Sequence, residues 1–202
     1  MSWIDTIKSS CSWINIYYGV LSSYINEKNY KSIIEIGVAY GGHAEEILTN
    51  TNIDKYIGID PYLSSYDNED CFDNDVHLLF NKNTKQESMD ELCNKVNIRL
   101  SSFNNRFRHI RKRSTQAALD IEDNSIDIVF IDGNHTYETV KNDIESYWKK
   151  IKENGTLCGD DYDGFEGVRF AVHEFANKNN LILNRMVNVK TGYKTHWYFI
   201  KV

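Results

Sequence analysis

Two short apolar runs in this chain end in acid. Ile128-Val129-Phe130-Ile131 runs into Asp132-Gly133-Asn134-His135, and Gly155-Thr156-Leu157-Cys158-Gly159 runs into Asp160-Asp161. In an open α/β sheet, ligands bind outside the carboxyl ends of the strands. If the two runs are neighbouring strands, Asp132, Asp160 and Asp161 reach one crevice. Three carboxylates there repel one another unless something neutralises them, and a hard divalent cation with oxygen ligands is the usual answer. Adjacent strand residues point to opposite faces. Asp160 and Asp161 can therefore share one ion only if the backbone turns, and Gly159 and Gly164 would permit that. The structural alternative is that both acids simply open a solvated loop. His135 stands three residues past Asp132, with a side chain that titrates near neutrality. It suits a general base, or else it caps the next helix.

A second constellation is Glu35-Ile36-Gly37-Val38-Ala39-Tyr40-Gly41-Gly42. It falls where an apolar run gives way to a helical pattern. Glycines at such a turn let the backbone approach a ligand, and the amides of a helix N-terminus attract an anion. Asp60 ends the next apolar run and can accept both hydrogen bonds of a ribose diol. Together these indicate a nucleoside-containing cofactor. The dinucleotide pattern G-x-G-x-x-G is degraded here to Gly37-x-Ala39-x-x-Gly42. Glu35 suits S-adenosylmethionine (SAM), which carries an ammonium and a sulfonium. Tyr137-x-x-x-Lys141 mimics the catalytic pair of short-chain dehydrogenases but lacks the supporting segments of that fold.

These residues need a scaffold. Ser32–Gly37, Lys55–Asp60, Phe107–Arg113, Ile126–Asp132 and Gly155–Gly159 read as strands. Helical patterns lie between them, over Gly42–Leu48, Ser88–Phe103 and Tyr137–Ile151, and Gly167–Ala176 reads as a further helix. Such alternation predicts a doubly wound, mostly parallel sheet. Leu181–Val189 and Thr195–Val202, joined by a turn at Gly192, predict an antiparallel C-terminal pair, for seven strands in all. The basic residues around Phe107–Arg113 suit a charge-protected edge strand, or a phosphate patch. Residues 62–85 read as a long polar loop, the place for a lid or acceptor site. Residues 1–30 read as a helical extension that packs on the sheet edge, or serves as a lid or a contact between identical copies.

The 202 residues suit one domain spanning 1–202. A net charge of −6 argues against nucleic acid as a partner. No stretch approaches the ~18 apolar residues of a membrane span, and no signal peptide is expected. The four cysteines are widely spaced, which predicts neither a zinc site nor a redox dithiol and fits a reducing, cytoplasmic compartment.

Glu35–Gly42, Gly58-Ile59-Asp60-Pro61, Asp127–Tyr137 and Gly155–Tyr162 together resemble the class I SAM-dependent methyltransferases. More narrowly, they resemble the metal-dependent O-methyltransferases of sugars and catechols; the resemblance spans 33–162. Ile131-Asp132-Gly133-Asn134-His135-Thr136-Tyr137 is the most specific stretch, and glycan-modifying enzymes of large DNA viruses share this compact form. The resemblance implies a Rossmann-like fold with Glu35, Gly37, Tyr40, Gly41 and Gly42 around the methionine end of SAM and Asp60 on the ribose. Ser114, Thr115 and Gln116 would flank the adenine, with Asp132 beside the cofactor. Asp132, Asp160 and Asp161 would bind Mg2+, Mn2+ or Ca2+, and His135 would be the base. The expected reaction is methylation of a hydroxyl on a sugar or glycan. A catechol or phenol acceptor, or a SAM-binding subunit without catalysis, are the alternatives. Ala39 and His43 depart from the common pattern.

Overall fold

The computed structural model describes residues 19–66 and 72–202. Most of the expected helical extension, with Trp3, Trp13 and Tyr17, lies outside them. What is described of it is a helix, α1 (Val20–Lys28). The remaining elements are β1 (Ser32–Ile36), α2 (Gly42–Asn50), β2 (Lys55–Ile59), α3 (Phe72–Phe80), α4 (Lys85–Leu100), β3 (Phe107–Ile110), α5 (Ser114–Ala117), β4 (Ile126–Ile131), α6 (Tyr137–Trp148), β5 (Ile151–Gly159), α7 (Glu166–Asn179), β6 (Asn184–Val187) and β7 (Lys194–Ile200).

The seven strands form one sheet in the order β3-β2-β1-β4-β5-β7-β6. The first five are parallel, while β7 runs antiparallel to both β5 and β6. This is the Rossmann-like architecture the alternation predicted. The chain leaves β1 towards β2 on one side and returns to β4 on the other. The crevice therefore opens between β1 and β4, where strand order reverses.

Strand alternation builds two cores. Ile34, Ile36, Val129, Ile131 and Leu157 face α6 and α7. Ile33, Ile128, Phe130 and Cys158 face α1, α2 and α4. Strands covered on both faces read as continuous apolar runs, which is why these were legible. Cys158 is a free, fully buried thiol, and Cys93 is also free and buried. Helix α4 begins at a reciprocal cap: Thr84 Oγ1 accepts from Glu87 N, and Glu87 Oε2 accepts from Thr84 N, both at 3.1 Å. It buries Met89, Leu92, Cys93, Val96 and Leu100 along one side.

The polar stretch 62–85 is not a plain loop. It contains α3, whose Val76 is fully buried and whose Phe72 and Phe80 pack on the same core. These three recur at i, i+4 and i+8, a helical stripe hidden among acids and asparagines. Tyr62 is also core, and its hydroxyl donates to the Ala39 carbonyl at 2.8 Å. Strand β3 ends at Ile110, three residues short of expectation, and is the sheet edge. Its basic neighbours are committed locally. Arg106 donates to the Ile53 and Thr51 carbonyls, Arg111 pairs with Asp90, and Lys112 pairs with Asp120.

Candidate active site

At the β1/β4 switch point lies a cleft of about 750 Å³. Gly37 forms its floor, and its backbone requires glycine twice over. Its φ is +89°, and a Cβ there would sit 1.9 Å from the Asp132 carbonyl oxygen. The strand ends are tied in sequence by Gly37 N to Ile59 O (2.9 Å), Asp132 N to Ile36 O (2.8 Å) and Asp160 N to Ile131 O (3.0 Å). Asp60, at the end of β2, shapes the turn directly. Its Oδ2 accepts from the amides of Val38 and Ala39 at 3.0 Å each, and its Oδ1 from Tyr62 N at 2.8 Å. Burial pushes its carboxyl up, although these three amides pull the other way. Asp60 still lines the cleft, together with Ala39, Ser114, Asp132 and Gly133.

Beside this cleft a smaller cavity of about 200 Å³ is lined by Asp132, Asn134, His135, Asp160 and Asp161. The three acids thus converge as expected. The turn that brings Asp161 round is made by Asp161 itself, at φ +61°, a left-handed conformation that Asp tolerates better than most residues. Gly159 serves a different purpose: a Cβ there would meet Ile131 O at 2.5 Å and the Trp197 ring. Gly164 is not left-handed, so the expected glycine hinge is replaced by an acid. Burial, then the facing Asp160, Asp161 and Glu35, hold Asp132 well above the usual carboxylate range. Burial would also raise Asp160, but His196 outweighs it and keeps Asp160 low. Asp132 therefore keeps its proton to higher pH than Asp160. Such a set of hard oxygen donors fits a divalent cation. Among the described residues, however, no three His, Cys, Asp or Glu side chains are gathered at metal-holding spacing.

His135 is 8% exposed. Its Nε2 lies 2.8 Å from Asp161 Oδ2, and its ring stacks on Phe165 with centroids 4.0 Å apart. It does not cap α6; Asn134 Oδ1 organises that entry by accepting from Thr136 N and Oγ1. Glu35 is buried with both oxygens engaged, by His43 Nδ1 at 2.9 Å and the Tyr56 hydroxyl at 2.7 Å. Burial would lower His43, but Glu35 more than offsets it and raises it. Glu35 thus faces the acidic group from within the core instead of lining the cleft. Tyr40 meets Phe72 edge-to-face, while Gly41 and Gly42 start α2. Ser114 lines the cleft. Thr115 and Gln116 are exposed and outside that lining.

Three residues were not assigned to the site from the sequence. His43 and His196 flank Phe130 at 4.9 Å each, and His196 Nδ1 lies 3.6 Å from Asp160 Oδ1. The signal for His196 was register: β7 pairs Trp197 with Gly159, which sets the preceding residue beside Asp160. The third, Asp143 on α6, lines the cleft.

The family described as "Methyltransferase domain" matches residues 34–162. The chain belongs to the methyltransferase family. This membership supports SAM as the methyl donor, and the matched span holds the glycine turn, Asp60 and all three converging acids. A relative in Acanthamoeba polyphaga mimivirus, an uncharacterized protein, is 31% identical over 157 residues, covering 75% of this chain and 61% of its own length. The chain thus spans under two thirds of that relative. Among solved structures, a candidate caffeoyl-CoA O-methyltransferase from Staphylococcus aureus superposes with TM-score 0.67 at 16% identity, covering 100% of this chain and 93% of the other. A spermidine synthase from Thermotoga maritima gives 0.54 at 12% identity, covering 93% and 60%. At these identities the likeness is one of fold, and the fold hosts more than one transfer chemistry. In this methyltransferase domain the dehydrogenase-like pair is a surface feature. Tyr137 donates to Glu174, and Lys141 Nζ lies 2.8 Å from Glu174 Oε1. Among the described residues, no helix is long and apolar enough to cross a membrane.

Proposed function

We propose that this methyltransferase acts on oxygen, moving the methyl group of SAM to a hydroxyl of a sugar or glycan with a divalent cation at Asp132, Asp160 and Asp161. The observation that carries this reading is a shared wall. Asp132, Gly133 and Asn134 line both the large cleft and the small acidic cavity. A methyl donor in the first would present its sulfonium to an acceptor in the second.

In the transfer, the S–CH3 bond breaks as the O–CH3 bond forms. The electron pair returns to sulfur, and the hydroxyl proton must leave. A sugar hydroxyl is a poor acid, and a cation bound to the three carboxylates would lower the pKa of an oxygen beside it. His135 would take the proton, with Asp161 orienting the imidazole through Nε2. A positioned base of this kind is worth roughly 10²–10⁴-fold. The glycine turn and Asp60 would hold the donor, and fixing two reactants can contribute about 7–11 kcal/mol in favourable systems.

The mimivirus relative shares a viral source with the glycan-modifying enzymes that the sequence resembles, and its own activity is uncharacterized. A phenolic acceptor has one observation in its favour: Phe165, stacked on His135 with Tyr162 nearby, offers flat apolar surface. The S. aureus neighbour points the same way.

The test starts with calorimetric titration of S-adenosylhomocysteine (SAH), with magnesium and with chelator, followed by a panel of sugar and catechol acceptors. The expected result is one-to-one SAH binding, and methylated sugar only when metal is present. Asp132→Asn should bind SAH and lose turnover. Unchanged turnover in chelator or in that variant would remove the metal from the reading. Absence of SAH binding would remove the donor. SAH binding without turnover on any acceptor would favour the non-catalytic subunit.

A further inference from the structure

The cleft contains an acid that the transfer chemistry leaves unused. Asp143 sits on α6, 1% exposed, in the cleft wall with Ser114 and Tyr66. Among the described residues it has one hydrogen-bond partner: Ser114 Oγ donates to Oδ1. Ser114 is in turn fixed by the Tyr147 hydroxyl, which donates to its carbonyl at 2.7 Å. The second carboxyl oxygen of Asp143 is uncommitted. A buried carboxyl with one neutral donor is costly unless a further partner arrives.

Among the described residues no cation supplies that partner. Those lining the cleft include the acids Asp60, Asp73, Asp132 and Asp143, and no lysine or arginine. The guanidinium of Arg113 lies over the Tyr66 ring at 5.0 Å. Tyr66, from the stretch after β2, and Tyr147, on α6 itself, face Asp143, and burial pushes both phenols up. They are neutral wherever proteins are handled. Burial lifts Asp143 to about 7, with the Ser114 hydroxyl opposing. The site therefore favours a neutral carboxylic acid, which offers a donor and an acceptor side by side.

Location says what would use that pair. The glycine turn and Asp60 line the cleft at the ends of β1 and β2, and Ser114, just after β3, lines it together with Tyr66 and Asp143. We propose that the Asp143 carboxyl reads the purine edge of the methyl donor, its O–H donating to a ring nitrogen and its carbonyl oxygen accepting from the 6-amino group. The inference rests on the cleft being the SAM site. Adenine presents an amino donor beside a ring-nitrogen acceptor, and the asparagine amide is the usual partner for that pattern. A carboxylic acid has the same shape and the same polarity. An ionised carboxylate would accept from the amino group but would set its charge against the ring-nitrogen lone pair.

The experiment measures SAH affinity at pH 5.5, 7 and 8.5 for wild type and Asp143→Asn, with thermal melts of each. Wild type should lose about tenfold in affinity between the lowest and highest pH, the scale of one buried hydrogen bond. Asp143→Asn should bind as wild type does at pH 5.5 and lose less affinity than wild type as pH rises, any remaining slope belonging to Asp60 and Asp132, which also line the cleft. A second arm needs no variant: SAH lacking the 6-amino group should bind wild type about tenfold more weakly at pH 5.5. Identical pH profiles for the two proteins, or equal affinity for the deaminated analogue, would overturn the assignment of Asp143 while leaving the donor site intact. Absence of SAH binding by wild type at every pH would overturn the donor reading and this inference with it.

Discussion

At the scale of single residues, the site is a set of acids, two of them each met by a histidine. Asp161 has His135 and Asp160 has His196; Asp132 is instead raised by burial and the facing acids. His135 is the group that can be removed without disturbing the cleft. His135→Gln should cut turnover roughly 10²–10⁴-fold and leave SAH affinity at its wild-type value; equal turnover would strip His135 of the base role. The acids and His135 were legible because each ends or follows an apolar run, and strand ends are where a doubly wound sheet places its chemistry. His43 and His196 were not. Nothing local marks a histidine as the neighbour of an acid 36 residues away; only the register of an antiparallel strand does. Asp143 was hidden for a different reason. On α6 it looked like an ordinary polar position, and its burial depends on how α5 folds against that helix.

At the scale of elements, the glycine turn carries most of the geometry. Gly37→Ala would need a left-handed alanine, costing roughly 1–2 kcal/mol. Its Cβ would also sit 1.9 Å from a β4 carbonyl that is held in the sheet. The loss should therefore exceed the conformational cost alone, read as a fall in urea midpoint together with weaker SAH binding. A variant of unchanged midpoint would mean that β1 and β4 can part more easily than their pairing suggests. The strands were readable from the sequence, since runs such as Ser32–Ile36 are buried on both faces. Helix α3 was not, because only Phe72, Val76 and Phe80 carry its period through a stretch of acids. The Asp160–Asp161 turn was expected but attributed to the glycines beside it. Aspartate can adopt φ > 0 on its own, so composition could not say which residue would bend.

At the scale of the whole molecule, the buried acids set how stability responds to pH. Asp60, Asp132 and Asp143 are all raised in the folded state, so each of these three holds its proton more tightly in the folded protein than in the unfolded chain. Their contribution is complete below the ordinary carboxylate range and fades as pH rises through the folded values. For Asp143 that window runs from about 4 to about 7, and the loss is at most ~4 kcal/mol. The ligand-free protein should therefore melt at a lower temperature at pH 8 than at pH 5. Asp143→Asn should show a shallower decline, and parallel slopes for the two would contradict the placement of that acid. One last feature concerns ancestry. The family match ends at residue 162, whereas His196 arrives on β7, in a hairpin beyond it. The matched block holds the glycine turn and all three acids, and the imidazole that keeps Asp160 low comes from a stretch of chain beyond it. On the proposed reading, changes in that hairpin would retune the acidic cavity and leave the donor cleft as it is, so acceptor preference would be free to drift faster than methyl-donor use.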